Sequence, residues 1–282
     1  MRICYHKRCV HEQVTKRIAN VRFTTGREKP VFMRKQQNEI VKRIYLCDLP
    51  EYRKKHKAET MDKNQKKIRS GGNGFMKVLL VNGSPHANGS TYTALHEMEK
   101  VFTEEGIEAE IIQIGNQDIR GCIACNGCRK KGSCVFEDAV NETAAKFEEA
   151  DGLVVGSPVY YASANATLIA FLDRLFYSTG FDKTMKVGAS VVSARRGGLS
   201  ATFDELNKYF TIAGMPVASS QYWNSIHGNN ADEAVQDLEG LQTMRTLARN
   251  MSFLIKSIAL GKEKYGLPEK EAKVGTNFIR EI

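Results

Sequence analysis

From Lys77 onward, short apolar runs alternate with segments of helical period. Val78-Leu79-Leu80-Val81 is apolar at every position and stops at Asn82-Gly83-Ser84-Pro85. A run of that length predicts a strand covered on both faces, as in a parallel sheet. Ser90 to Glu105 carries Leu95, Met98 and Phe102 at helical spacing, and Gly106 marks its end. Glu108 to Ile114 reads as a second strand and Leu153 to Gly156 as a third. Between them Ala139 to Ala150 is a helix, with Asp138 as its N-cap.

The alternation continues to the end of the chain. Ala164 to Tyr177 is a helix whose buried stripe is Leu168, Phe171, Leu172 and Leu175. Val187 to Ser193 is a fourth strand, Ser200 to Ala213 a helix, and Pro216 to Ser219 a weaker fifth strand. The last element is one long helix, Asp232 to about Leu260, with Leu238, Leu241, Ala248, Met251, Ile255 and Ile258 as its stripe. Five strands alternating with helices predict an α/β layer sandwich with right-handed crossovers. Ligands of such folds sit at the carboxyl ends of the strands. Function is therefore expected in the loops after strands one, three and four.

Charge divides the chain. Its 282 residues carry a formal net charge of +9. Residues 1–75 hold 20 Lys+Arg against 7 Asp+Glu, whereas 76–282 hold 21 against 25. The basic pI therefore says nothing about the larger part. Segment 1–75 has no clear period and ends at Gly71-Gly72-Asn73-Gly74. Three readings stay open for it. It is a disordered basic tail, or a nucleic-acid-binding arm lacking any known motif spacing, or an over-called start. The last is favoured, because Gly-Gly can be encoded by a purine-rich ribosome-binding sequence about ten nucleotides before the Met76 codon. The expected domains are thus 1–75, a basic segment, and 76–282, one ligand-binding domain. No apolar run approaches the ~18 residues that span a bilayer, and MRICYHKRCVHEQ has no apolar signal core. Seven cysteines in a chain of this length fit a reducing cytoplasm better than a disulfide framework.

The three loops carry the chemistry. In the first, Ser84, His86, Asn88, Gly89, Ser90 and Thr91 lead into a helix start. Glycines, hydroxyls and free helix N–H groups suit a phosphate. With no Gly-Lys-Ser/Thr, the loop is not a P-loop. The second loop, Pro158-Val159-Tyr160-Tyr161, brings aromatic faces to the crevice for a flat heterocycle, or packs them against the following helix. Pro158 is expected to stop the strand ladder there. The third loop, Ser193-Ala194-Arg195-Arg196-Gly197-Gly198, offers close backbone approach and two cations, or is a solvated turn.

Together, NGSPHANGST, GSPVYYASANATLIAFLDRL and SARRGG resemble the flavodoxin-like family of NAD(P)H-dependent FMN reductases. QYWNSIHG and LQTMRTLARNM are similar to that family's closing part. The resemblance spans about Met76 to Leu260 and none of 1–75. It implies a flavodoxin-like three-layer sandwich with a five-stranded parallel sheet in order 2-1-3-4-5. It also implies FMN, with the phosphate on the first loop. The isoalloxazine would lie against Pro158, Val159, Tyr160 and Tyr161, and against Ser193, Ala194, Arg195, Gly197 and Gly198. A homo-oligomer is implied as well.

Cys122, Cys125, Cys128 and Cys134 fall within thirteen residues. Thiolates so spaced can converge on one soft metal centre. The pattern resembles the cysteine motif of iron–sulfur flavoproteins, a branch of the same family, where it holds a [4Fe–4S] cluster. It departs from ferredoxin spacing, because Cys134 follows after five residues and precedes Val135. A metal-free redox loop and a structural zinc site remain open.

The expected function is that of a cytoplasmic FMN-dependent oxidoreductase. It passes electrons from NAD(P)H to a quinone, a free flavin or another small acceptor. The alternative is an electron carrier serving a ferredoxin-type protein. No acid–base dyad is required, and none is evident. His227 is a modest candidate for a ligand contact, against a packed loop histidine.

Overall fold

The structure, a computed structural model, describes residues 76–272 and 274–276. The expectations for 1–75 lie outside the described residues. Four of the five expected strands form where the sequence places them. β1 (Lys77–Asn82), β2 (Glu108–Gln113), β3 (Gly152–Tyr160), β5 (Val187–Ala194) and β6 (Ser225–His227) are all parallel, in the order β2-β1-β3-β5-β6. A two-residue strand, β4 (Ser163–Ala164), folds back antiparallel onto the end of β3. Without β4 this is the flavodoxin-like order 2-1-3-4-5.

Helices cover both faces. α1 (Ser90–Glu104) and α7 (Leu238–Tyr265) lie on one face; α3 (Ala139–Glu149), α4 (Ala166–Ser178) and α5 (Leu199–Ile212) lie on the other. The period of two in β1 sorts its side chains. Val78 and Leu80 join α1 and α7, while Leu79 and Val81 join α3 and α4. Leu168, Phe171, Leu172 and Leu175 of α4 are completely buried. Each such burial is worth about 1.5–3 kcal/mol, which is why tertiary packing, more than propensity, holds this helix. Short helices α2 (Cys128–Lys131) and α6 (Ala231–Ala234) complete the described elements.

The structure departs from the sequence pattern in three places. Pro158 does not end the ladder: β3 runs on to Tyr160, with Pro158 in register with Ser193 of β5. The carbonyl of Gly156 accepts from Gly83 N on the β1 side. Pro158, two residues on, points the same way but past the end of β1, so its missing N–H breaks no bond. The fifth strand is not Pro216–Ser219, which makes a single bridge, Gly188↔Val217. The ladder is instead completed by Ser225–His227, because the chain detours between, anchored by Asn224 Nδ2 donating to Ser190 O at 3.0 Å. Finally, the long helix is two. Asp237 caps α7, its Oδ1 accepting from Gly240 N at 2.9 Å, and Leu238 is exposed, not part of the stripe.

Candidate functional site

At the carboxyl ends of β1, β3 and β5 lies a cavity of about 680 Å³. That is within the range of cofactor sites. Its floor is the first loop, whose base is tightly fixed. Ser84 N donates to Asn82 Oδ1 (3.1 Å), Gln113 Nε2 donates to Ser84 O (2.7 Å), and Asn165 Nδ2 donates to Gly83 O (2.7 Å). Gly115, after β2, packs so closely that a Cβ there would overlap the Gly83–Ser84 backbone. The tip, His86 to Asn88, is exposed.

All six first-loop candidates line the cavity: Ser84, His86, Asn88, Gly89, Ser90 and Thr91. Their donors are distributed differently from the sequence reading. Ser90 Oγ donates to Gly228 O (3.3 Å) and Asn230 O (3.0 Å), and Thr91 Oγ1 pairs with Ser193 Oγ (2.8 Å). These hydroxyls tie the walls together. The donors left for a ligand include Ser84 Oγ, which accepts from His86 N (3.1 Å), the exposed His86 and Asn88 side chains, and the first backbone N–H groups of α1. Gly89, the N-cap of α1, supplies no side-chain cap, and the first turn carries no acid. An uncapped helix start without a competing carboxylate is suited to a phosphate.

The second loop is a hairpin. Tyr161 and Ala162 take φ 57° and 83°, the paired left-handed residues of a tight β3–β4 turn. Neither tyrosine packs into the core. Tyr160 is 43 % exposed and lines the cavity with Pro158 and Val159, while Tyr161 is fully exposed at the turn and lies outside the lining. Tyr160→Ala should therefore leave the apoprotein melting temperature within a few degrees and weaken flavin binding about 2- to 13-fold, the worth of an aromatic contact. A large melting shift with unchanged affinity, compared by calorimetry and flavin titration, would assign Tyr160 to packing instead.

The third loop divides. Ser193, Ala194 and Arg195 line the cavity; Gly197 and Gly198 do not, but line a second cavity of about 350 Å³ with Arg196, Trp223 and His227. His227 is not packed: its side chain is half exposed, with Nδ1 3.3 Å from Asp237 Oδ2. The sequence reading missed a fourth wall, Gly228 to Asp232. Glu233 fixes it by accepting from Asn229 N (2.9 Å) and Nδ2 (2.7 Å), bonds that hold its carboxyl below the usual carboxylate range. The only local hint was Gly228-Asn229-Asn230 before a helix start.

The four cysteines line one small cavity beside α4, with Cys122 and Cys125 exposed and Cys134 buried. Left-handed backbone at Ala124 and Asn126 turns the chain between the first three. Asn141 holds the fourth, accepting from Cys134 N and donating to Cys134 O, both at 3.0 Å. Gly127 N donates to Cys125 Sγ at 3.5 Å, and the buried Ser178 Oγ on the same cavity has no partner. Among the described residues, no group of three or more His, Cys, Asp or Glu is gathered closely enough to hold a metal ion. The cavity, about 20 Å³, has room for a single water. The donor set, four thiols with N–H support and an orphaned hydroxyl, nevertheless has the chemistry of a soft-metal centre.

Arg174 closes this region. Burial works against its charge, but hydrogen bonds to Asp138 and Cys134 outweigh that and keep the guanidinium protonated. Among the described residues no helix is long and apolar enough to cross a membrane.

Residues 76–230 match the family model described as NADPH-dependent FMN reductase. An iron–sulfur flavoprotein of Methanocaldococcus jannaschii is 34 % identical over 191 residues, covering 65 % of this chain and 99 % of the relative. An iron–sulfur flavoprotein of Methanosarcina thermophila is 31 % identical over 194 residues, covering 67 % of this chain and all of the relative. Among solved structures, RosB with bound 8-demethyl-8-formylriboflavin-5'-phosphate superposes with TM-score 0.52 at 16 % identity, over 73 % of this chain and 94 % of RosB. That last likeness is one of fold.

Proposed function

We propose, from the premise that this chain belongs to the NADPH-dependent FMN reductase family and its iron–sulfur flavoprotein branch, that it binds FMN and is an oxidoreductase passing electrons from a reduced nicotinamide to a second acceptor. The observation that carries the reading is the uncapped, acid-free start of α1 on the floor of the 680 Å³ cavity. Ser84 and the first N–H groups of α1 would hold the phosphate. Pro158, Val159 and Tyr160 would flank the ring system, with Ser193 to Arg195 across from them. Gly197 and Gly198, behind that loop, would shape it. FMN supplies, when bound, acceptance of two electrons and their release singly or in pairs, which no side chain of this site can do. The chain's own part is to bind, orient and enclose.

Purified protein should yield FMN on extraction, or bind it as apoprotein. NADPH or NADH oxidation should then turn over with a quinone or free flavin as acceptor. A protein that neither carries nor binds FMN overturns the reading. The four cysteines favour a second reading, an electron carrier for a ferredoxin-type protein. Cys122, Cys125, Cys128 and Cys134 would hold a [4Fe–4S] cluster, which supplies one-electron transfer. Reduction by a ferredoxin, with no turnover on small acceptors, selects this carrier reading. Free thiols support a reducing, cytoplasmic setting, and Leu238, Phe253 and Leu260, exposed on α7, support self-association.

A further inference from the structure

Arg174 lies on α4 among its apolar stripe and is 1 % exposed. A guanidinium has five N–H donors, and all five are used here. Nη1 donates to Asp138 Oδ2 (2.6 Å) and to Arg120 O (3.1 Å). Nη2 donates to Asp138 Oδ1 (2.9 Å) and to Phe136 O (3.4 Å). Nε donates to Cys134 Sγ at 3.3 Å. The guanidinium also lies over the Phe136 ring, 5.1 Å from its centroid. Arg120 precedes Cys122 by two residues and Phe136 follows Cys134 by two. One side chain therefore ties both ends of the cysteine segment to α4. Through Asp138, whose Oδ1 also accepts from Val140 N (3.1 Å), it ties that segment to the start of α3.

We propose that Arg174 is the positioning residue of the cysteine centre: the Arg120 and Phe136 carbonyls, together with Asp138, fix its plane, so that Nε gives Cys134, alone of the four thiols, a charge-assisted hydrogen bond. A loop clamp needs only the carbonyls and the carboxylate. The fifth donor does something further, because a sulfur that accepts from a cation gives less electron density to a metal. Hydrogen bonds and net charge at the sulfurs set the potential of a thiolate-bound centre. Arg174 thereby raises the midpoint potential of the centre and makes it asymmetric, with one shielded ligand and two exposed ones. A lysine would keep the charge but cannot present the same planar fork and third donor. The inference rests on reading the four cysteines as one centre.

Three forms of the full chain test it: wild type, Arg174→Lys and Asp138→Asn. The last replaces the ion pair by a neutral amide, which can still cap α3, while the Arg120 and Phe136 carbonyls keep the guanidinium plane with Nε on Cys134. Melting temperature reports stability, and potentiometric titration of the iron-loaded protein reports the centre's potential. Per-residue alkylation by iodoacetamide, read by peptide mass in metal-free reduced protein, reports the thiols. In wild type, Cys122 and Cys125 should react at least tenfold faster than Cys134. Asp138→Asn should lower the melting temperature while leaving the Cys134 rate and the potential unchanged. Arg174→Lys should lower the potential of the centre, leave that of the flavin unchanged, and raise Cys134 alkylation at least tenfold over wild type. If both variants move all three readouts alike, Arg174 is only a clamp and the proposal fails. If wild type takes up no iron, the cluster reading fails separately. The alkylation pattern then decides: Cys134 unprotected in Arg174→Lys alone supports positioning, and unchanged protection overturns it.

Discussion

Gly89→Asp should make the apoprotein more stable and nearly abolish flavin binding. Gly89 is the N-cap of α1, with φ −87° and ψ −166°, extended backbone that any residue adopts. A Cβ there would meet His86 Cβ at 3.0 Å, and His86 is exposed and can yield. Aspartate is among the best N-cap residues, and its charge complements the helix start. The gain over glycine is about 0.5 kcal/mol, a rise of about 1–2 °C for a domain of this size. The same carboxylate would occupy the first N–H groups of α1 and repel a phosphate. Losing two hydrogen bonds to a charged group costs about 3–6 kcal/mol, so FMN affinity should fall at least 100-fold. Calorimetry of the apoprotein and fluorescence titration with FMN give the two numbers. Flavin affinity within threefold of wild type would move the phosphate elsewhere.

Gly115→Ala should damage the same loop from beneath. Gly115 carries no unusual backbone angle; what it supplies is closeness, since a Cβ would collide with the backbone of Gly83 and Ser84. Neither neighbour can swing aside. Asn165 holds Gly83 O, and Gln113 holds Ser84 O. Overpacking of this kind costs about 1–3 kcal/mol, or about 2–12 °C of melting temperature. The displaced Ser84 should cost FMN affinity at least tenfold. Gly121→Ala is the control, because nothing lies within 4 Å of a Cβ there; it should change neither quantity. Equal behaviour of the two variants would show that the loop does not rest on Gly115.

The sequence by itself determined the layers and the three loops. Val78 to Val81 could only be a strand covered on both faces, and Leu168, Phe171, Leu172 and Leu175 could only be one face of a helix. Asp138 announced the start of α3, because an N-cap acts on the two or three residues beside it. All of these signals lie within one element. Tertiary structure decided what the loops face. Ser90 meets Gly228 and Asn230 across 138 and 140 residues, so the fourth wall leaves no trace near Ser90 in the chain. Arg195 and Arg196 are neighbours in sequence yet line different cavities, because the chain bends at Arg195–Gly197, just past the end of β5. Asp237 splits the last helix by serving both α7 and the backbone of His227, a partner ten residues back. Nothing in the spacing of the α4 stripe marks Arg174 as buried. It is buried because Asp138, two carbonyls and the Cys134 sulfur meet it there, and only folding brings those acceptors from 36 to 54 residues away to one side chain.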